Sequence, residues 1–203
     1  MNRLLRYTML TTLLLCGCST QGPHQEQRLE EVKATLQSGD LLFRRGTGLA
    51  GHVVATLDKE GHFSHVGLVV GDTTDWRVVH AVPYEPEFEG DFDRVKCESV
   101  ADFLGRYPSA EFGLYRPLVE PQALERITRH ALRLSRERVP FDHDYNTEDT
   151  TRLYCTELIE YLFHLEGYSL SEGRRTEINL TGFAGSYIFP SDVTQSSLLI
   201  PIY

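Results

Sequence analysis

The chain has 203 residues, of which 41% are hydrophobic and 24% are charged, and its formal net charge is −9. This length and composition are those of one globular domain with a real core, and they exclude a disordered chain. An acidic balance disfavours binding to phosphate backbones, which needs clustered lysine and arginine, so no nucleic-acid partner is expected.

The first 17 residues have the features of an export signal. Arg3 and Arg6 precede an apolar run that ends at Leu15. This run is too short for a bilayer, which takes about 20 residues, and small residues follow it. We therefore divide the chain into a lipoprotein signal peptide at 1–17, a polar tether at 18–27 and one folded domain at 28–203.

The end of this signal, Leu15-Cys16-Gly17-Cys18, resembles the bacterial lipobox. The resemblance implies that Cys18 carries lipid and anchors the protein to a membrane without spanning it. Ser19 after the cysteine, in place of an aspartate, implies the periplasmic face of the outer membrane in the bacterial cell envelope. A plain export signal with an incidental pair of cysteines is the alternative.

The remaining pattern predicts several helices and about five to seven strands, most of them joined by short links. Strands are predicted at 40–43, 62–70, 76–82, 94–97, 112–116 and 198–202. Helices are predicted before Ser38-Gly39, near 99–104, from Pro121 onward and around Cys155, while 49–57 is either a short helix or an extended loop. Such a chain is an α+β domain with an antiparallel sheet, in which 62–70 and 76–82 form a hairpin.

Cys155 is predicted near the start of its helix, with Thr150 and Thr151 as capping residues. A thiol in this place feels the positive end of the helix dipole, which favours the thiolate. A cysteine taken alone is more often a small buried core residue. The pattern also leaves open a disulfide with Cys97, which an oxidising periplasm would permit and which would abolish thiol chemistry.

Two histidines, His65 and His80, each stand alone in an apolar strand of the predicted hairpin. Burying an imidazole costs free energy unless it is hydrogen-bonded, so two such residues on adjacent strands indicate a site. With Cys155 they provide a nucleophile, a base (His65) and a group that orients the base (His80). Backbone N–H groups at the start of the cysteine helix are expected to form the oxyanion hole.

A metal site is a competing interpretation of the same residues. His62 and His65 are three residues apart, and His80, His143 and Cys155 could join them. On a strand, residues three apart point to opposite faces, so a shared metal is disfavoured unless His62 lies in a loop. No metal and no cofactor is expected.

Four motifs occur in an order that resembles a known family, the papain-like NlpC cysteine hydrolases. They are Gly39-Asp40, Ser64-His65-Val66-Gly67, His80-Ala81 and Tyr154-Cys155-Thr156-Glu157. The cysteine follows the histidines, which resembles the circularly permuted branch of YiiX-like bacterial proteins and, more distantly, lecithin retinol acyltransferase. The resemblance implies a circularly permuted papain-like fold whose antiparallel sheet packs against helices, including the cysteine helix.

The same resemblance implies a cysteine hydrolase that cleaves an amide or ester through a thioester acyl-enzyme. The expected substrate is a peptidoglycan stem peptide or a lipid or acyl conjugate, with Tyr154 at the substrate cleft. The acidic loop at 85–93 would suit a cationic substrate, and Asp40 or Glu157 could support the site, although Glu157 is expected to be a helix-surface or structural carboxylate. A non-catalytic lipid-binding envelope lipoprotein is the alternative.

Overall fold

The structure, a computed structural model, describes residues 23–46, 49–58, 61–107, 111–145, 147, 149–179 and 184–203. The predicted signal peptide and the lipidation at Cys18 therefore lie outside the described residues. The first helix begins at Pro23, inside the segment 18–27 that is predicted as a polar tether.

The helices and strands follow one another along the chain in short units. In order they are α1 (Pro23–Thr35), β1 (Leu41–Arg44), α2 (Leu49–Leu57), β2 (His65–Asp72), β3 (Asp75–Val82), β4 (Arg94–Ser99), α3 (Val100–Gly105), β5 (Phe112–Pro117), α4 (Pro121–Glu137), α5 (Cys155–His164), β6 (Thr176–Ile178), β7 (Gly185–Tyr187), α6 (Pro190–Thr194) and β8 (Leu199–Pro201). The undecided segment 49–57 is thus a helix.

Six of the strands form one antiparallel sheet in the order β4-β3-β2-β1-β5-β8. The predicted α+β class and the antiparallel sheet are confirmed. The predicted hairpin is β2 and β3, which pair as far as Asp72 and Asp75 around a Thr73-Thr74 turn. β6 and β7 form a separate two-stranded sheet that is not among the predicted strands, because strands of three residues with mostly polar side chains show no alternating apolar pattern.

A hydrophobic cluster lies on each face of the large sheet. One cluster packs α4, α5 and α6 against alternate side chains of the sheet, including Val66, Leu68 and Val70 of β2. The other packs α1 and α3 against the opposite face, where Phe103 is completely buried. Side chains of a strand alternate between faces, so β2 contributes to both layers.

The cysteine helix begins later than its sequence indicates, and the predicted capping by Thr150 and Thr151 is wrong. Leu153 is held in extended backbone, since its N–H donates to the carbonyl of Pro140 and its own carbonyl accepts from the N–H of Asp142. These bonds keep the preceding residues out of the helix, so Tyr154 is the N-cap and Cys155 the first helical residue.

Among the described helices, none is both long enough and apolar enough to cross a bilayer.

Candidate active site

His65 and His80 meet as predicted, on the face of the sheet that packs against α3. The Nε2 atom of His65 lies 2.8 Å from Nδ1 of His80. His80 is completely buried, and His65 is 7% exposed. Both rings also contact Phe103, with centroid distances of 5.7 Å for His65 and 5.1 Å for His80.

Gly67 makes room for this pair of rings. A Cβ atom at position 67 would lie 2.3 Å from Cγ1 of Val78 and 3.1 Å from Cβ of His80. The first distance is shorter than any real contact, so a side chain here would displace Val78 and press on His80. The glycine two residues after His65 is therefore a packing requirement of the histidine pair.

The chain of contacts continues from His80 to Glu98 on β4. Nε2 of His80 lies 3.1 Å from Oε1 of Glu98, an ion-pair distance without the alignment of a good hydrogen bond. The other carboxylate oxygen, Oε2, accepts a hydrogen bond from Nη2 of Arg106 at 2.7 Å and lies 3.3 Å from Nζ of Lys96. Each oxygen of Glu98 thus has its own kind of partner.

Glu98 belongs to a buried network of five charges. Its second carboxylate, Glu85, contacts Arg44 at 2.6 Å, Arg106 at 2.8 Å and Lys96 at 3.8 Å. Lys96 is 1% exposed, and its Nζ also donates to the carbonyl of Glu85 at 3.0 Å. The network therefore holds three cations against two carboxylates, an excess of one positive charge behind the histidines.

This environment keeps both imidazoles neutral. Burial, followed by the charges of Arg44, His80, Lys96 and Arg106, holds the pKa of His65 well below its ordinary value. Burial also lowers the pKa of His80 to about 4, although the contact with Glu98 opposes the shift. Burial raises the pKa of Glu98, but His80 and the neighbouring cations outweigh it and leave that pKa well below the ordinary value.

Cys155 is a free thiol at the start of α5, half-buried against the cluster that contains α4 and α5. Cys97 is free as well, so the disulfide that the sequence left open is not formed. The backbone N–H groups of Cys155, Thr156 and Val66 lie close enough to the thiol to favour its anionic form. Val66 directly follows His65, the first residue of β2. Cys155 therefore lies near the end of β2 that carries His65.

The predicted thiolate is not what this position favours. Burial raises the pKa of Cys155 to about 11, because the loss of hydration outweighs the three backbone N–H groups and the charge of Arg44. At neutral pH the structure therefore holds a neutral Cys155 thiol and a neutral His65 imidazole.

We accordingly expect alkylation of Cys155 to be slow at neutral pH. A free thiol has a pKa of about 8.5, so Cys155 carries roughly 10²-fold less thiolate and should react with iodoacetamide slower by a similar factor. The rate should rise steeply between pH 8 and 11, measured by peptide mapping against a cysteine peptide in the same tube. Fast labelling below pH 7 would contradict the neutral pair and indicate a thiolate–imidazolium pair in solution.

The Cys155 thiol and the His65 ring lie on opposite faces of the sheet, near the same end of β2. Val66 packs in the same cluster as Cys155, whereas the ring of His65 contacts Phe103 on the other face. Among the residues that the structure describes, no hydrogen bond joins the Cys155 thiol to His65. His65 is the first residue of β2, so its side chain stands at the end of that strand.

Tyr154, predicted at the substrate cleft, has a structural position. Its side chain is 3% exposed, and its hydroxyl accepts from the N–H of Ile188 at 3.2 Å. The prediction of a substrate contact gains no support from this burial. Tyr145 is a better placed aromatic residue: its ring lies 5.4 Å from that of Tyr154, and burial together with the nearby Cys155 raises its pKa to about 12.

The two carboxylates suggested as supports of the site have other partners. Glu157 is buried, not on the helix surface, and its Oε2 accepts from the backbone N–H of Tyr154 at 3.2 Å, which caps α5. This burial raises the pKa of Glu157 to about 8. Asp40 is also buried and binds Arg116 through two bonds of 2.8 Å, at the start of β1.

The acidic loop at 85–93 is largely neutralised from within the protein, which removes the reason to expect a cationic substrate there. Glu87 and Asp91 both contact Arg94, and Asp91 also accepts from Arg138 at 2.7 Å. Asp93 lies 3.0 Å from His143. A cavity of about 500 Å³ borders this loop, lined by Pro86, Glu87, Glu98, Ala101, Asp102, Gly105 and Arg106.

One cluster in the described part of the chain has the spacing of a metal site. Single atoms of His80, Glu85 and Glu98 lie within 4.8 Å of one another. His62, which the metal interpretation also invoked, is exposed and precedes β2. Two like unit charges at about 4 Å repel by roughly 4 kcal/mol near a protein surface. A metal ion bound by Glu85 and Glu98 would be repelled in this way by the three cations that these carboxylates already contact. The residues present do not fit a divalent cation.

Glu98 and Glu85 were not predicted as parts of the site. The alternation Arg94-Val95-Lys96-Cys97-Glu98 within a buried strand was a usable signal, since charged residues at every second position must face partners. Glu98 is opposite Val78 in the register, two residues from His80 on the same face. Which partner each charge meets depends on that register.

The fold and the residues gathered at the end of β2 define an α+β protein with a cysteine beside a pair of buried histidines. Its structure is similar to that of metalloprotein yiiX (DUF1105) from Escherichia coli O157:H7, at 15% identity and a TM-score of 0.65, over 82% of this chain and 96% of that one. At this identity the likeness shows a YiiX-like fold alone. No protein-family model matches the chain, and no curated protein matches it.

Proposed function

We propose that the protein is a cysteine hydrolase that cleaves an amide or ester bond through a thioester acyl-enzyme. Cys155 is the nucleophile, His65 the base and His80 the residue that orients it. The observation that supports this most is the placement of the Cys155 thiol among the N–H groups of Cys155, Thr156 and Val66, because Val66 directly follows His65, which is itself bonded to His80.

The proposed reaction starts from a neutral Cys155 thiol and a neutral His65 imidazole. The thiol proton passes to His65 while the sulfur attacks the carbonyl carbon, and the carbonyl oxygen becomes an oxyanion. Backbone N–H groups at the start of α5 stabilise that oxyanion, since no intrahelical partner takes them. The imidazolium then protonates the leaving amine or alcohol, which leaves an acyl group on Cys155. Water hydrolyses the thioester with His65 again as base.

The reaction requires Cys155 and His65 to come into contact when substrate binds. Catalytic hydrogen bonds are often long in unliganded enzymes and tighten in the complex. Here the required movement brings the side chain of His65, the first residue of β2, toward the start of α5. A carbonyl seated at the start of α5 would lie at the same strand end.

The circularly permuted papain-like relationship and the envelope location are parts of this proposal. The order of the motifs supports the permuted NlpC interpretation, and the YiiX-like fold agrees with it. Lipid on Cys18 would hold the enzyme at the periplasmic face of the outer membrane, beside peptidoglycan and lipid alike. The solved relative is called a metalloprotein, but the cations around Glu85 and Glu98 disfavour a metal in this chain.

The two substrate classes can be separated by trapping the acyl-enzyme. The native protein is incubated with muropeptides in one series and with acyl-ester and acyl-amide lipids in another, then quenched with acid. We expect mass spectrometry to find a hydroxylamine-sensitive adduct on Cys155 with only one of the two classes. If both are hydrolysed at an unchanged rate after Cys155 has been alkylated, the proposal is wrong.

A non-catalytic lipid-binding protein is the second candidate. The raised pKa of Cys155 and the separation of its thiol from His65 favour it, because a structural cysteine needs no activation. Binding of the acyl lipids without turnover, and with equal affinity after alkylation, would support this second function.

A further inference from the structure

Glu98 has a carboxylate whose two oxygens serve different partners, and the buried one faces His80. Oε2 is engaged by Arg106 and Lys96. Oε1 is buried, lies 3.1 Å from Nε2 of His80, and neither of these two atoms has a hydrogen bond to any other described group. The two cations on Oε2 help to keep the carboxylate ionised, so that Oε1 remains an acceptor.

An ionised carboxylate accepts hydrogen bonds and cannot donate them. The proton of a neutral His80 therefore belongs on Nε2, where it faces Glu98, and Nδ1 is left with a lone pair. That lone pair lies 2.8 Å from Nε2 of His65. The proton of a neutral His65 must then be on Nε2, and its Nδ1 carries the free lone pair.

We infer that Glu98 is a positioning residue that fixes the tautomers of both histidines in series and so makes Nδ1 of His65 the basic atom. This inference rests on the proposed function, in which His65 takes the proton of Cys155. Without the carboxylate, His80 is free to protonate on Nδ1 and donate toward His65. His65 would then carry its proton on Nδ1 and could not accept one there.

The surroundings of the pair agree with this assignment. Glu98 approaches His80 from β4 and Glu85 from the loop that follows β3, while Lys96 of β4 and Arg106 at the end of α3 contact Glu98. His65 is bordered by Arg44 of β1 and Phe103 of α3. Glu98 is the carboxylate at ion-pair distance from His80, 3.1 Å, whereas an atom of Glu85 lies within 4.8 Å, so we assign the direction of both protons to Glu98.

The test is ¹⁵N NMR of the full chain labelled in the histidine rings. At pH 7 we expect His65 and His80, identified by loss of their signals in His65→Gln and His80→Gln, to be protonated on Nε2. Finding either ring protonated on Nδ1 in the wild-type protein would overturn the inference. This measurement needs no variant of Glu98 and no substrate.

Glu98→Gln supplies the second arm, because it keeps the shape and removes the obligatory acceptor. We expect the Nε2–H preference of His80 to be lost and kcat to fall about 10²-fold with KM within twofold. Glu85→Gln is the matched control: it removes the same charge from the same network and should retain both tautomers. Equal tautomer changes in the two variants would show a general charge effect and refute the specific role.

The outcomes separate the inference from the proposed function. If the tautomers are as expected but Cys155 proves dispensable for hydrolysis, the function is wrong and the role of Glu98 in the ring protonation stands. If Cys155 is required but His65 is protonated on Nδ1, the function stands and the inference fails.

Discussion

Replacing Cys155 with alanine is expected to lower kcat by roughly 10³- to 10⁶-fold, the range for loss of a nucleophile whose oxyanion hole remains. The backbone N–H groups at the start of α5 do not depend on the side chain, so substrate binding should persist and KM should change little. The measurement is steady-state hydrolysis of whichever substrate class leaves an adduct on Cys155.

Cys97→Ala is the matched control for this experiment. Cys97 is also a free, half-buried thiol, and burial raises its pKa as well, but it is on β4, away from the start of α5. Both alanine variants should lose about 1 kcal/mol of stability, the typical effect of a single substitution. Comparable activity in Cys155→Ala and Cys97→Ala would exclude thiol catalysis at Cys155.

Removing Glu85 is expected to destabilise the fold by about 3–5 kcal/mol, the effect of breaking a buried ion pair. Its side chain is 7% exposed and contacts Arg44, Arg106 and Lys96. In Glu85→Ala these three cations would face Glu98 alone, an excess of two positive charges in the same volume. Urea denaturation with an unchanged slope should show the loss of stability as a lower midpoint.

Lys96→Met is the informative comparison, since it removes one of the cations from the same network. Two carboxylates and two arginines would then remain, and methionine fills much of the space of the buried lysine stem. We expect it to cost less than half as much as Glu85→Ala. If both variants are equally destabilised, the excess positive charge does not determine the stability of the network, and the packing of its side chains does.

This excess charge has a consequence for the proposed reaction. Because burial and then the neighbouring cations lower the pKa of His65, the base stays unprotonated well below its ordinary pKa, and acid inactivates it only at low pH. The same cations oppose the imidazolium that forms during the reaction. The contact of His80 with Glu98 offsets part of that cost, which gives the carboxylate a role in charge as well as in orientation.

Much of the architecture could be predicted from local pattern. β-Branched runs bounded by glycine indicated β2 and β3, and proline followed by an apolar stripe indicated α4. These signals are local, because a helix or strand that buries one face must repeat its apolar residues at a fixed spacing. β6 and β7 escaped prediction since they are three residues long, and the start of α5 was misplaced because pairing of Leu153 with Pro140 and Asp142 is not local.

The meeting of His65 with His80 was also predictable, since adjacent strands of a hairpin have a register set by their turn. The contacts of Glu98 were not, as they require the pairing of β3 with β4 across a long acidic loop. The state of the Cys155 thiol was predicted with the wrong sign. Sequence shows the helix dipole, which favours the thiolate, but not the burial, which opposes it more strongly.

By itself, the sequence determined the class of fold and the hairpin that joins His65 to His80, and it provided Cys155, His65 and His80 as the candidates for the proposed reaction. Each depends on spacing along the chain. Only the tertiary structure decided that Cys155 and Cys97 remain free, that Tyr154 is buried and that Glu98 completes the contacts of His80. Burial and charge pairing are sums over residues distant in the chain, and those sums set the protonation of Cys155, His65 and Glu98.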